Sequence, residues 1–146
     1  MRMSIIQKLF KFSVPIEDLV TIYMLYIRSV LENSAVVWHS SLTREQSNDL
    51  ERVQKVALNI MLKDKYVSYE NAMAVTSLQS LSDRRSHLCK QFALKCTKNP
   101  KTADMFPQNS KSQYDTRKPE KFYVTPARTN RLANSAIPHM QRLLNA

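Results

Sequence analysis

Four residues between positions 52 and 63 have the types and the spacing needed to contact a phosphate backbone. They are separated by three, four and four residues, in the order Arg52, Lys55, Asn59 and Lys63. Side chains at these intervals lie on one face of an α-helix. Such a ridge of cations and one amide can bind successive phosphates of a nucleic-acid strand without reading its bases. The alternative is an ordinary solvated helix face.

The helix that would carry this ridge has its own start signal. Thr43-Arg-Glu-Gln46 matches a capping box, in which Gln46 reaches back to the amide of the cap residue. An apolar face is predicted at Leu50, Val53, Ala57 and Ile60. Arg44 and Asn48 fall with the ridge on the opposite side, so the sequence predicts an amphipathic helix with a basic outer face.

Helical patterns also precede this segment. One helix ends near Phe12, and its start is expected to lie outside this chain. The next is predicted from Ser13, as its cap, to Glu32. This second helix is expected to be the most buried, with its main apolar stripe at Ile16, Leu19, Tyr23, Tyr26, Ile27 and Val30.

Two more helices are predicted downstream. A short one covers Tyr69–Val75, and a longer one starts at the capping pair Ser80 and Asp83 and ends near Asn99. The inner face of the longer helix is predicted at Leu81, Leu88, Phe92 and Cys96, with Lys90 and Lys98 outward.

Composition favours an all-α fold. The 146 residues include no glycine, which excludes glycine-rich phosphate loops and restricts turns of positive φ to Asn or Asp. We predict a bundle of about four to five helices over residues 1–100. An extended, basic, proline-containing and partly ordered tail is expected over 101–146, with a short helix at Pro138–Asn145.

The net charge of +10 suits a polyanionic partner, although a solvated basic surface gives the same total. In the tail, basic and aromatic residues alternate, as in proteins that bind RNA or single strands; a disordered linker would look similar. The aromatic members are Tyr114, Phe122 and Tyr123, and the basic members are Arg117, Lys118, Lys121, Arg128 and Arg131.

Residues for catalysis are lacking. No Asp-Asp pair is present to hold the two metal ions of a polymerase. The three histidines are far apart in sequence, and no base accompanies a serine or cysteine nucleophile. Cys89 and Cys96, roughly 10 Å apart along a helix, fit small core residues better than a disulfide or zinc site. We therefore expect no enzyme activity, cofactor or metal in this chain itself.

The cysteines and the lack of a secretory signal predict an intracellular protein, in the nucleus or cytoplasm. Its apolar runs are too short to span a bilayer, so no membrane partner is expected.

The sequence also predicts roles for three further residues, Arg85, Arg84 and Trp38. Arg85 leans toward the inner face of its helix and needs a carboxylate, for which Glu32 and Glu51 are candidates. Arg84 sits at the edge of that face. Trp38 fits a hydrophobic plug between helices better than a stacking platform for a base.

Several motifs occur in order along the chain. They are R-S-V-L-E-N at 28–33, V-W at 37–38, S-L-T-R-E-Q at 41–46, L-E-R-V-Q-K-V-A-L at 50–58, S-L-S-D-R-R at 80–85, L-C-K-Q-F-A at 88–93 and S-A-I-P at 135–138. This series resembles the region after the polymerase palm in reverse transcriptases of non-LTR retrotransposons of the Jockey and RTE type. The family usually has Arg at the position of Asn59 and Gly near Lys63.

The resemblance implies a thumb-like C-terminal fragment that holds an RNA/DNA hybrid beside the missing palm, where the intact enzyme uses Mg²⁺. Alternatives are a helical module that binds an acidic protein, or a retroelement relic without function. With the resemblance, nucleic-acid contacts are assigned to Arg44, Arg52, Lys55, Lys63, Arg84, Lys90, Arg128 and Arg131. Structural roles are assigned to Trp38, Arg85, Glu32, Leu50 and Phe92.

Overall fold

The computed structural model describes residues 3–109 and 121–146, and within these ranges the protein is all-α, as predicted. Pairing between extended segments in these ranges is limited to one antiparallel bridge, Gln108 with Phe122. Eight helices occur in the same ranges, more than the four to five predicted: α1 (Met3–Lys11), α2 (16–31), α3 (Ala35–Trp38), α4 (Arg44–Leu62), α5 (Tyr69–Thr76), α6 (Leu81–Lys98), α7 (Asn130–Ala133) and α8 (Ala136–Asn145).

The chain forms two compact units. The first comprises Met1–Asn33 with Thr43–Arg84, and the second comprises Ser34–Leu42 with Arg85–Ala146. Helix α6 begins in the first unit and continues in the second. This division differs from the predicted boundary at residue 100, because the described part of the C-terminal segment packs with most of α6.

Two helix starts agree with their predicted caps. The Thr43 hydroxyl accepts from the Gln46 amide at 3.2 Å, and the Gln46 side chain accepts from the Thr43 amide at 3.0 Å, completing the capping box of α4. At the start of α6 the Asp83 amide donates to the Ser80 hydroxyl at 3.0 Å. These bonds satisfy helix amides that lack partners within the helix.

The core of the first unit surrounds α4. Helices α1, α2 and α5 all contact it. The buried face of α4 is rotated from the predicted one: Ala57 is buried as expected, whereas Leu50, Val53 and Ile60 are only half-buried. The residues that α4 buries are Gln54, Ala57, Leu58, Met61 and Leu62.

A buried amide stands at the centre of this face. Gln54 accepts from the Tyr23 hydroxyl at 2.9 Å and donates at 2.9 Å to both the Tyr69 hydroxyl and the Gln79 carbonyl. Tyr69 in turn donates to Glu51, which also accepts from the Leu81 amide at 3.1 Å. The network thus joins α2, α4, α5 and the start of α6. It uses both amide hydrogens of Gln54 and one of the two lone pairs of its carbonyl oxygen.

Burial and, for Tyr69, the hydrogen bond to Glu51 raise the pKa of both phenols well above their ordinary value of 10.0. Tyr23 and Tyr69 therefore keep their hydroxyl protons at neutral pH, so each hydroxyl can donate a hydrogen bond.

Helix α2 contains a π-helical segment, Tyr23–Arg28, between the α-helical segments Ile16–Ile22 and Ser29–Leu31. Because π bonding joins residues five apart instead of four, the buried stripe shifts after Tyr23. Ile27 remains buried, whereas Tyr26 and Val30 are 58% and 49% exposed. The predicted stripe is therefore wrong at these two positions.

The chain does adopt positive φ, contrary to the expectation that only Asn or Asp would do so. Ser13, Ser34 and Ser77 have φ between 54° and 57°, and Lys63 has φ 43°. Ser13 closes α1, since its amide donates to Phe10 and the next amide donates to Leu9. It does not cap α2, where Pro15 occupies the cap position.

In the described part of the C-terminal segment, residues 121–129 form no helix, and α7 and α8 follow. The predicted short helix at Pro138–Asn145 corresponds to α8, which begins two residues earlier. The Asn145 side chain exchanges two hydrogen bonds of 2.9 Å with the backbone of Phe122. The Gln141 side chain accepts from the Thr125 amide and donates to the Met105 carbonyl, each at 2.8 Å. These amides of α8 hold the extended residues against a core of Cys89, Ala93, Cys96, Phe106, Phe122 and Met140.

Replacing Gln54 by leucine is predicted to lower the free energy of unfolding by about 3 kcal/mol. The change removes the acceptor of the buried Tyr23 hydroxyl and the amide that donates to the Tyr69 hydroxyl and the Gln79 carbonyl, and a buried group left without a partner costs about 1–3 kcal/mol. Urea unfolding followed by circular dichroism measures the effect. Gln91→Leu on the exposed side of α6 is the matched control and should change stability by less than about 0.5 kcal/mol. Equal stability of the two variants would contradict the role of the network.

Replacing Lys63 by glycine is predicted to raise stability by about 1 kcal/mol. The backbone there has φ 43° and ψ −107°, a conformation that costs a residue with a Cβ about 1–3 kcal/mol, partly offset by the greater freedom of glycine when unfolded. Lys63→Ala removes the same charge but keeps the Cβ, so it should give no increase in melting temperature. An equal gain from alanine would show that charge, and not backbone geometry, is responsible.

Candidate nucleic-acid interface

The predicted ridge lies on the exposed side of α4. Arg52, Lys55, Asn59 and Lys63 are all exposed, with Lys63 at the end of the helix. The opposite side of the same helix is buried in the core of the first unit. A helix fixed in this way presents the three cations and the amide at constant spacing.

The cations of the ridge have different immediate neighbours. Arg52 lies 3.6 Å from Asp49, but the two side chains are 76% and 60% exposed. Ion pairs this exposed contribute little and exchange readily for other partners. Lys55 is placed over the ring of Tyr69, 5.0 Å from its centre, and Lys63 over the ring of Phe10 at 5.9 Å. Aromatic faces hold these ammonium groups without neutralising them.

A cleft of about 590 Å³ adjoins the end of the ridge. It is lined by Ser4, Gln7, Lys8, Phe10 and Lys11 of α1 together with Ile60 and Lys63. Sequence reasoning missed Lys8 and Lys11 as candidate residues. Their separation from Ser4 by four and seven residues, which puts all three on one helix face, was the available signal.

Arg44 and Arg84, the other two residues of the first unit predicted to contact nucleic acid, differ in their surroundings. Arg44 is exposed at the start of α4. Arg84 lies 3.4 Å from Glu32, which also pairs with Arg28 at 3.3 Å. Arg84 is half-buried and shares the Glu32 carboxylate with Arg28, so its guanidinium is engaged in an ion pair; its assignment to nucleic acid stays a prediction.

The remaining predicted contacts lie in the second unit. Lys90, Arg128 and Arg131 are exposed there. Among the aromatic residues of the tail, Phe122 is buried and cannot stack on a base, whereas Tyr123 is exposed. The other members of the interleaved series, Tyr114, Arg117 and Lys118, lie outside the described residues.

Arg85 is fully buried in the second unit. Its Nε donates to Nδ1 of His39 at 3.3 Å, and its guanidinium lies 6.0 Å from the centre of the Trp38 ring. The second nitrogen of His39 is 3.1 Å from the Ser86 hydroxyl. Nδ1 of the neutral His39 ring accepts the hydrogen bond from Arg85. The ring proton therefore lies on Nε2, which donates to the Ser86 hydroxyl.

Both histidines of this cluster are held neutral. Burial, followed by the charges of Arg85 and His139, lowers the pKa of His39 to about 4. Burial and the charge of Arg142 lower the pKa of His139, whose ring lies 5.6 Å from that of His39. An imidazole with the pKa of His39 is a poor general base at neutral pH.

The other residues assigned structural roles are placed as follows. Trp38 and Leu50 are half-buried, and Glu32 joins two arginines as described above. Phe92 is 44% exposed, so its assignment to the inner face of α6 is wrong. The buried positions of that helix instead recur every four residues from Leu81 through Arg85, Cys89 and Ala93, which turns Phe92 outward. Cys89 and Cys96 are buried free thiols.

No group of three or more His, Cys, Asp or Glu side chains in residues 3–109 and 121–146 is arranged to hold a metal ion. None of the helices in these ranges combines the length and apolar character needed to cross a bilayer. What the exposed surface of α4 offers is a line of cations, a type of charge that can pair with phosphate groups. No protein-family model, curated protein or solved structure matches the chain.

The melting temperature is predicted to fall as the pH is lowered from 6.5 toward 4. Because the folded-state pKa values of His39 and His139 lie below the ordinary value, the unfolded chain takes up these protons first. Their contribution is complete above pH 6.5 and is lost as the pH falls through the folded-state values. His39→Gln/His139→Gln, neutral at every pH, should show a smaller fall between pH 6.5 and 5, measured by circular dichroism.

The exposed His87 supplies the matched control. His87→Gln should keep the wild-type dependence on pH. If the double variant and the wild type lose stability in parallel, the two buried rings are not the groups that titrate.

Proposed function

We propose that this chain is the post-palm, thumb-like region of a reverse transcriptase from a non-LTR retrotransposon of the Jockey or RTE type. In this role it holds an RNA/DNA hybrid by its phosphates and has no catalytic activity of its own. The observation that carries the proposal is the exposed ridge of Arg52, Lys55 and Lys63 on a helix whose other side is buried. The enzyme to which such a region belongs would supply the palm and its Mg²⁺, in the nucleus or the cytoplasm.

The positions of the motif residues support this assignment. Arg28 and Glu32 come from the first motif and Arg84 from the D-R-R motif, and the three side chains form one ion-pair cluster. Glu51 and Gln54, from the L-E-x-V-Q-K motif, belong to the buried hydrogen-bond network. The residues that carry the resemblance are thus engaged in contacts that specify one fold, which gives a physical reason for their occurrence together.

The backbone at Lys63 gives independent support. The family usually has glycine near this position, and Lys63 has positive φ in a region that glycine occupies at low cost. At the end of α4 the backbone keeps a conformation that suits glycine although the residue is lysine, as expected if Lys63 replaces the glycine of the family pattern.

The mechanism of binding follows from the arrangement of charge. Each ammonium or guanidinium group that meets a phosphate releases condensed counterions, so affinity depends on salt and hardly on sequence. The ridge fixes the position of the bound strand, because its cations are held on a helix that is packed along its length. Such contacts orient a duplex toward a neighbouring catalytic domain but carry no base specificity.

A second candidate function is protein contact, favoured by an exposed apolar group on α2. Leu25, Tyr26 and Val30 are 64%, 58% and 49% exposed. An apolar surface of this kind is typical of interaction sites. Within the main proposal it would contact the missing palm domain, and in the alternative it would contact an unrelated, acidic protein. Binding of RNA/DNA hybrid that survives Leu25→Ser/Val30→Ser would separate this surface from the ridge.

Reversing two ridge charges in Arg52→Glu/Lys55→Glu is predicted to weaken binding to an RNA/DNA hybrid about tenfold in low salt. Each lost phosphate contact lowers the slope of log affinity against log salt by about 0.9, so the slope should become shallower by about two. Fluorescence anisotropy at several salt concentrations measures both quantities.

The control changes charge to the same extent elsewhere. Lys95→Glu/Lys98→Glu alters two exposed lysines of α6 in the second unit. It should keep the wild-type slope if the ridge is the site of contact. Identical losses in both variants would mean that only total charge matters, and the ridge would then have no special role.

A further inference from the structure

The cleft beside the ridge differs from the ridge in shape and in the kind of anion that it suits. Lys8, Lys11 and Lys63 surround one concavity of about 590 Å³ within the first unit. On α4 the cations follow one another along a line, which suits successive phosphodiesters with one charge each. A concavity that gathers three cations suits a single compact group with more than one negative charge.

The positions on α1 explain why these groups converge. Ser4, Lys8 and Lys11 are separated by four and three residues and so share one face of the helix. Gln7 adds an amide to the same lining. The lining of the cleft therefore combines ammonium groups with polar, uncharged side chains.

No carboxylate lines this cleft. Within residues 3–109 and 121–146, ion pairs are formed by Arg28, Arg52 and Arg84, and none by the three lysines of the cleft. Their positive potential is therefore available to a ligand. Phe10 and Ile60 supply an apolar wall next to it, against which a sugar or a base can pack.

We propose that this cleft binds the terminal phosphate of a nucleic-acid strand. A phosphomonoester carries nearly two negative charges at neutral pH and three acceptor oxygens, which suits a concavity lined by three ammonium groups. The proposal rests on the proposed function for the presence of the strand, and adds a site for its end. A free nucleotide has the same phosphate chemistry, so the test must separate the two sources.

The test compares three RNA/DNA hybrids of one sequence by fluorescence anisotropy with the full chain. One has hydroxyl ends, one has a 5′-phosphate and one has a 3′-phosphate. We expect one phosphorylated hybrid to bind about tenfold more tightly than the hydroxyl form, as one charge-assisted contact can give. Lys8→Gln/Lys11→Gln should abolish this preference, whereas Lys95→Gln/Lys98→Gln should keep it. Melting curves establish that each variant is folded.

The outcomes separate this proposal from the one it rests on. Equal, salt-dependent binding of all three hybrids overturns the phosphate site and leaves the ridge intact. A preference that persists in Lys8→Gln/Lys11→Gln also overturns it. If a nucleoside monophosphate binds with a dissociation constant close to that of the hybrid and competes away the preference, the cleft binds free nucleotides. The proposal of a strand end is then rejected. Failure of every hybrid to bind rejects the proposed function itself.

Discussion

The hydrogen bonds of the Gln54 amide constrain the first unit more than any apolar contact does. Apolar side chains tolerate rotation and sliding, but an amide buried without water has to meet its partners at fixed positions. Because Gln54 joins Tyr23, Tyr69 and the backbone of Gln79, the relative placement of α2, α4 and α5 follows from one side chain. The orientation of α4 about its own axis is fixed by the same bonds, and with it the direction in which Arg52 and Lys55 point.

The lack of glycine is a second constraint, and the chain meets it with serine. Two of its helices end in a left-handed serine, Ser13 after α1 and Ser77 after α5, each followed by the paired backbone bonds of a Schellman motif. Ser34 supplies the same backbone conformation before α3. A small side chain lowers the steric cost of this conformation without removing it. At Lys63 the residue is large, and the conformation is retained because the buried turn before it, Met61 and Leu62, is packed.

Much of the fold was predictable because its signals are local. The capping box at Thr43, the start of α6 at Ser80 and the helix around Tyr69 depend only on neighbouring residues. The buried faces were less predictable, since hydrophobicity assigned Phe92 to the core and gave no reason to bury Gln54 or Arg85. Those two side chains are buried because partners distant in sequence, Tyr69 and His39, satisfy them. The same limit applied to the site: the exposure of the ridge followed from its spacing, whereas the spacing of the α1 lysines puts them on one helix face without showing that this face lies beside Lys63.

The placement of charge in the first unit follows from this packing. Arginines that are half-buried, Arg28 and Arg84, converge on Glu32, where a low dielectric strengthens the pairing. The exposed lysines have no such partner in the described residues, and two of them lie over aromatic rings instead. On the outer surface of α4 the cations outnumber the carboxylates, with Arg44, Arg52, Lys55 and Lys63 against Glu45 and Asp49. A surface of that kind costs stability through self-repulsion, and a bound anion would relieve this cost.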